Sequence, residues 1–293
     1  MIRAKKKKFY RDRIGVADVI IVILLLLLAA VTLYPFLYVV AGSFSDGKDF
    51  ELGGIWLVPR IFSLDNYRAI LLDHRFWRAL LNTVIRATIG TACSLLVTSF
   101  VAYAMSHPKM PHKKLFRTLN VITMYFSGGL VPFFLVVNLL GLYNSFLVYI
   151  LPSLYSVYNM IVISRFFKNI NESLREAAVI DGANEFQIWW NLYLPMSVPV
   201  LITVGIWIAV MHWNSYLPTL LYTDKDESMW TLQYYLMRVI RDASLPDSDV
   251  VSPNVTAKTV SFAAMVLSML PIALVYPFLS RHFHNGSAGA SKE

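Results

Sequence analysis

The run IGVADVIIVILLLLLAAVTLYPFLYVVA, from Ile14 to Ala41, constrains the fold more than any other feature of the chain. A helix needs about 20 apolar residues to cross hydrocarbon, and this run exceeds that. A cleaved signal peptide has a shorter apolar core and a small-residue cleavage site, so the run reads as an uncleaved first span. Further apolar runs lie at 79–105, 119–140, 145–167, 196–221 and 259–279. In lipid, only helices and closed barrels satisfy their own backbone. The expectation is therefore an all-α membrane protein with six transmembrane helices occupying 14–280. Composition agrees: 57% of residues are hydrophobic and 15% charged, against roughly a quarter charged in soluble domains. The single cysteine, Cys93, excludes an internal disulfide and a Cys-built zinc site.

Charge sets the orientation. The net charge of +8 comes largely from RAKKKKFYRDR, in segment 1–13, directly before the first span. It reads as a cytoplasmic anchor at the lipid surface and not as a nucleic-acid site. The loop HPKMPHKKLFR carries Lys109, Lys113, Lys114 and Arg117 without an acid, so it belongs on the same side. Six spans then place both termini, the tail 281–293 and the connection 171–195 in the cytoplasm. The segment 222–258 lies outside and is too long for a mere connector.

Several spans carry polar residues. Asn82, Arg86 and Thr91 in the second and Asn214 in the fifth are candidates for lining a path. Helix–helix hydrogen bonding, with Arg86 snorkelling outward, explains the second span's polar residues equally well. His212 and Trp213 favour packing. Prolines 35, 132, 152, 218, 271 and 277 predict kinks.

The stretch EAAVIDGANEFQIWWNLYLP, Glu176 to Pro195, is charged and helix-forming between two apolar runs. Ser173 and Glu176 have capping-box spacing. Ala177, Ala178 and Ala183 allow close backbone approach, and Asp181-Gly182 ends the turn. Asn184 and Gln187 form a second cap, and Pro195 stops the second helix. The simpler reading is an amphipathic hairpin lying on lipid through Trp189 and Trp190. The spacing of Glu176, Ala177, Ala178, Gly182, Leu192, Leu194 and Pro195, however, resembles the EAA loop of binding-protein-dependent ABC importer permeases. Leu192 replaces the usual isoleucine there, and Asn171 stands where many relatives have proline.

The resemblance implies a type I importer permease fold with a cytoplasmic coupling helix, docked on a separate ATPase subunit through Glu176. It extends over nearly the whole chain and is similar to the smaller permease of the maltose importer. FSGGLVPFFLVVNLLGLYNS, WNSYLPTLLY and LPIALVYPFLSRHF look like the group handling complex oligosaccharides, including alginate or pectin fragments. By the same resemblance, Gly286, Ser287, Ala288 and Gly289 enter the ATPase interface. The loop 222–258, with Tyr222, Trp230, Tyr234 and Arg238, meets an extracytoplasmic solute-binding protein. The implied partners are a second permease, two ATPase subunits, that binding protein and the sugar, in a bacterial inner membrane. ATP and magnesium would sit on the ATPases, with no cofactor on this chain.

Other signals are declined. GSFSDGKD mimics a phosphate-binding loop but has Asp49 where Ser or Thr should hold magnesium. His282-x-His284 lacks a third ligand, and Asn254-Val255-Thr256 is a tripeptide common by chance. An ion-coupled secondary carrier would need mid-membrane carboxylates, whereas Asp18 alone lies inside a predicted span. A membrane-embedded enzyme would need a convergent acid–base or metal set, and none is legible.

Overall fold

The computed structural model describes residues 15–243 and 254–287. The basic segment 1–13, the loop's 244–253 and the tail's 288–293 lie outside the described residues. Among the described residues there is no strand, only an antiparallel bridge between Ser45 and Phe62. The helices are α1 (Val16–Ser43), α2 (Gly47–Glu51), α3 (Asp65–Leu71), α4 (His74–Ser106), α5 (Lys113–Tyr125), α6 (Leu130–Leu139) and α7 (Val157–Phe167). They continue as α8 (Glu172–Ile180), α9 (Glu185–Ile188), α10 (Leu194–Met196), α11 (Val198–Asn214), α12 (Leu217–Tyr222), α13 (Leu232–Ala243) and α14 (Ala257–Ser287).

Of the six expected spans, three correspond to single long helices and the others lie where the helices are broken. Among the described residues, only α1, α4 and residues 257–274 of α14 are single helices long and apolar enough to cross a membrane. Bends break the predicted spans 119–140 and 145–167 internally and set α11, in 196–221, off from the helix before it. Helices α5 and α6 meet at 114°, the 3₁₀ turns at 146–153 meet α7 at 49°, and residues 185–196 meet α11 at 86°. The first two breaks have a local cause. Gly129, with φ +87°, takes a conformation that other residues adopt only with strain, and α6 restarts from it. Pro152 confines its stretch to a short 3₁₀ turn, and the Ser156 hydroxyl caps a fresh helix by accepting from Asn159 N–H. Pro35, in contrast, leaves α1 unbroken, and Pro271 and Pro277 lie within α14.

Helix α4 is the central mast. Near its C-terminal end, Ala102, Tyr103 and Met105 join Ile163 and Phe167 of α7 and Val204 and Ile208 of α11 in one buried cluster. Near its N-terminal end, Phe76 and Ala79 pack with Trp213, Trp230, Tyr234, Tyr235 and Ala263 in another. Between the two, His212 of α11 is 1% exposed and lies against Gly90, where an added Cβ would come within 2.6 Å of its Nε2. The absence of a side chain at residue 90 is thus what brings α4 and α11 together. Helix α1 stands apart, its apolar surface exposed from Val16 through Leu37. Its last turns pack on α14, where Tyr38, Phe50 and Phe262 meet at centroid separations of 5.5–5.8 Å. A helix apolar all round and exposed along most of its length suits hydrocarbon, not water.

Candidate functional site

The stretch 171–196 folds as a helical hairpin built from local rules. Asn171 caps α8, its side chain accepting from Ser173 N–H at 3.1 Å. The expected cap by Ser173 with Glu176 is corrected: an amide two residues upstream holds that donor. Helix α8 ends in a Schellman turn, with Gly182 N–H donating to Val179 O at 3.0 Å and Ala183 N–H to Ala178 O at 2.9 Å. Gly182 sits at φ +85°, as the sequence predicts. Asn184 and Gln187 exchange two 2.9 Å bonds in the capping box that opens α9.

Pro195 does not stop the second helix, which is a further correction. The chain widens into a π-turn at Trp189–Tyr193 and continues through Met196. Proline has no N–H for the carbonyl four residues back, and a locally wider turn accommodates that mismatch without unwinding. The break comes at Ser197, ahead of α11.

The hairpin is fastened to the bundle on one side only. Arg175 pairs with Glu185 across the bend at 2.7 Å, and the Tyr103 hydroxyl of α4 donates to the same carboxylate. Burial pushes the Glu185 carboxyl up, but the bonds from Tyr103 and Arg175 outweigh it and hold it below the usual carboxylate value. Beneath this clasp, Ile188, Trp189 and Tyr193 enter the C-terminal-end cluster of α4, with the Tyr193 ring 4.8 Å from Tyr103 and 5.3 Å from Phe167. Ala178, Ala183, Leu192 and Leu194 pack partly against the same cluster.

The other side faces outward. Glu176, Ala177, Val179, Ile180, Asp181, Phe186, Trp190 and Pro195 are exposed, Ile180 at 85%. Glu176 makes no ion pair or side-chain hydrogen bond among the described residues. A carboxylate beside exposed apolar side chains, on a base held by ion pair and core packing, can receive a partner and pass displacement to α4. Sequence reasoning missed the clasp because Arg175 and Glu185 are ten residues apart and meet only once Gly182 has turned the chain.

The candidates for a path have separate surroundings. Asn82 ties α4 to the long loop, donating to the carbonyls of Ser228 (2.8 Å) and Trp230 (2.9 Å). Arg86 is 3% exposed, lies 4.8 Å over the Tyr149 ring and donates to Ser215 O at 2.9 Å. It is enclosed by its own chain, which corrects the snorkelling reading. Thr91 is half-buried near Gly205, and Asn214 is exposed and bonded to Val210 O. Tyr149, which the sequence did not single out, is the hub here. Its hydroxyl contacts Thr219 (3.0 Å) and Thr223 (2.5 Å) and donates to Met229 O (2.8 Å).

Of the residues expected to meet a binding protein, Tyr222, Trp230 and Tyr234 are buried in this chain, and Arg238 lies half-buried over Trp230 at 5.4 Å. They shape the loop from within. In the tail, Gly286 and Ser287 end α14, while Ala288 and Gly289 lie outside the described residues. The phosphate-loop mimic has already used its donors: Lys48 and Asp49 N–H donate to Asp46, and Gly47 N–H donates to Asn254 O.

Residues 94–287 match the family described as "Binding-protein-dependent transport system inner membrane component". The chain is 35% identical over 274 residues to the polygalacturonan/rhamnogalacturonan transport system permease protein YtcP of Bacillus subtilis (strain 168), covering 92% of this chain and 96% of that one. It is 34% identical over 260 residues to protein LplC of the same organism, covering 88% of each. It superposes with a TM-score of 0.86 and 30% identity on a chain of a bacterial ABC transporter involved in the import of the acidic polysaccharide alginate, covering 94% of this chain and all of that one.

Proposed function

The chain belongs to the binding-protein-dependent transport system inner membrane components, and on that premise we propose that it is one of two permeases of an ABC importer for an acidic oligosaccharide. The hairpin 171–196 carries the reading. It is rigidly rooted on α4 and presents Glu176 with Val179, Ile180, Phe186 and Trp190 to the outside. In this reading α5 with α6, the turns 146–153 with α7, and α11 alone each form one span beside α1, α4 and α14, giving six, with both termini and the hairpin in the cytoplasm. A separate ATPase subunit receives the hairpin, an arginine of that subunit pairs with Glu176, and ATP with magnesium stays on the ATPases. Closure of the ATPases drives the hairpin, and the Arg175–Glu185–Tyr103 clasp hands the motion to α4. ATP's preference for the closed state supplies the drive for alternating access. The tail at 286–289 enters the ATPase interface, and the loop 222–258 meets the solute-binding protein through its exposed residues, held in shape by Tyr222, Trp230 and Tyr234.

The substrate class draws on the relatives: one is named for polygalacturonan and rhamnogalacturonan transport, and the structural neighbour comes from an alginate importer. In the reconstituted complex, Glu176→Lys is expected to abolish oligosaccharide uptake while the protein still inserts. Normal uptake by that variant would refute the coupling role.

A further inference from the structure

Two clefts open on different faces of α11, and their linings differ in kind. One, of about 650 Å³ between α4, α11 and α14, is lined by Leu95, Leu201, Ile202, Ile206, Val210 and Ile272 among other apolar groups. The other, of about 530 Å³, lies between α4, α11 and the break that precedes α7. Its wall carries Tyr158, Asn159, Ser156 and Ser153 from the break and α7, and Trp207 and Met211 from α11. We propose that this second cleft is a subsite for one sugar ring of the transported oligosaccharide; the proposal rests on the sugar-importer reading above.

The backbone gives the first reason. Residues 154–156 are non-helical within a predicted span. Irregular backbone at membrane depth is tolerated where it is buried in protein or lines a watery cavity, and discontinuous helices commonly mark substrate sites in transporters. Here α4 patches part of the break from behind: Ser94 donates to Ser153 O at 3.1 Å and Thr98 to Leu154 O at 3.4 Å. The front is left to the cleft.

The side chains give the second. Asn159 is 9% exposed and lines the cleft, yet its amide has no hydrogen-bond partner among the described residues. The amide opens onto the cleft, so its donors and acceptor are free to bond a ligand with donors and acceptors of its own. Beside it, the Tyr158 and Trp207 rings stand 5.9 Å apart at 38°, each about half exposed. The C–H faces of a pyranose suit such rings, and its hydroxyls suit the amide and the Ser156 hydroxyl. A lipid chain would satisfy the rings and leave the amide unpaired. No cationic side chain lines the cleft, so it grips ring faces and hydroxyls and leaves a carboxylate to be matched elsewhere.

The test uses the full complex in proteoliposomes, with radiolabelled oligogalacturonate and alginate oligosaccharides as probes, and reads uptake alongside ATPase stimulation by loaded binding protein. Asn159→Ala and Trp207→Leu are each expected to lower uptake about tenfold, the loss of one satisfied polar or ring contact. Assembly and ATPase stimulation are expected to stay as in the parent. Trp207→Phe, which keeps a ring face, is expected to keep most of the uptake. Parental uptake in Asn159→Ala and Trp207→Leu would overturn the subsite while leaving the importer reading intact. Loss of the second permease or of ATPase stimulation in these variants would also overturn it, by making the cleft a subunit contact. Failure of the unaltered complex to import either probe would remove the acidic-oligosaccharide reading and the subsite together.

Discussion

At the scale of single residues, the hairpin depends on Gly182 and on one carboxylate. Gly182 has a positive φ and open space where a Cβ would stand, so Gly182→Ala costs backbone strain alone, about 1–2 kcal/mol. Hydrogen exchange should show α8 amides opening faster in this variant while α4 is unchanged. Glu185 is held below its ordinary pKa by Tyr103 and Arg175 against burial. A depressed carboxyl adds stability above the unfolded-state pKa and loses it only as pH falls through the lower, folded value. Exchange at α8 should therefore be flat with respect to Glu185 at neutral pH and rise only in acid below the ordinary carboxylate range. Glu185→Gln should abolish that acid-dependent step. The pair is surface-facing on the Glu185 side, so its loss should weaken coupling a few-fold and not unfold the protein. Gly182 and the Asn184–Gln187 box were legible in the sequence because both rules are local. The true cap at Asn171 was not, because Ser173 offers an equally good spacing and only the folded chain shows which oxygen accepts.

At the scale of elements, hydropathy reads length well and direction poorly. It located α1, α4 and the start of α14, whose apolar runs are continuous. It could not see that the run 119–140 turns through 114° at Gly129, since bending changes neither composition nor length. The polar face of α4 was visible, but its use was not. Thr83 accepts from Leu232 N–H at 2.8 Å, and Ser94 and Thr98 serve a neighbouring span's broken backbone. The α4–α11 contact makes a sharp prediction. Gly90→Ala places a methyl 2.6 Å from the His212 ring, so the helices must separate, at about 1–3 kcal/mol. Gly90→Ala should lower the thermal midpoint of the purified complex. Adding His212→Ala should recover part of the loss, and strict additivity of the two would show that they are not in contact.

At the scale of the whole molecule, one mast, α4, links a cluster at its N-terminal end that contains the long loop to a cluster at its C-terminal end that contains the hairpin. In the proposed mechanism, this arrangement would make a lever of what reads in sequence as a charged interruption. Family membership was legible from the spacing of Glu176 through Pro195, because seven positions in register leave few alternatives. The clasp that roots the hairpin was not, because it joins residues from α4, α8 and α9. The central claim is that the exposed face of this hairpin meets an ATP-hydrolysing subunit. Cross-linking from Ile180→Cys, in a Cys93→Ser background, tests it most directly in the assembled complex. The account predicts a product with the ATPase chain whose yield changes between nucleotide-free and ATP-bound states. A product with the solute-binding protein instead, or no product with any ATPase chain, would contradict it.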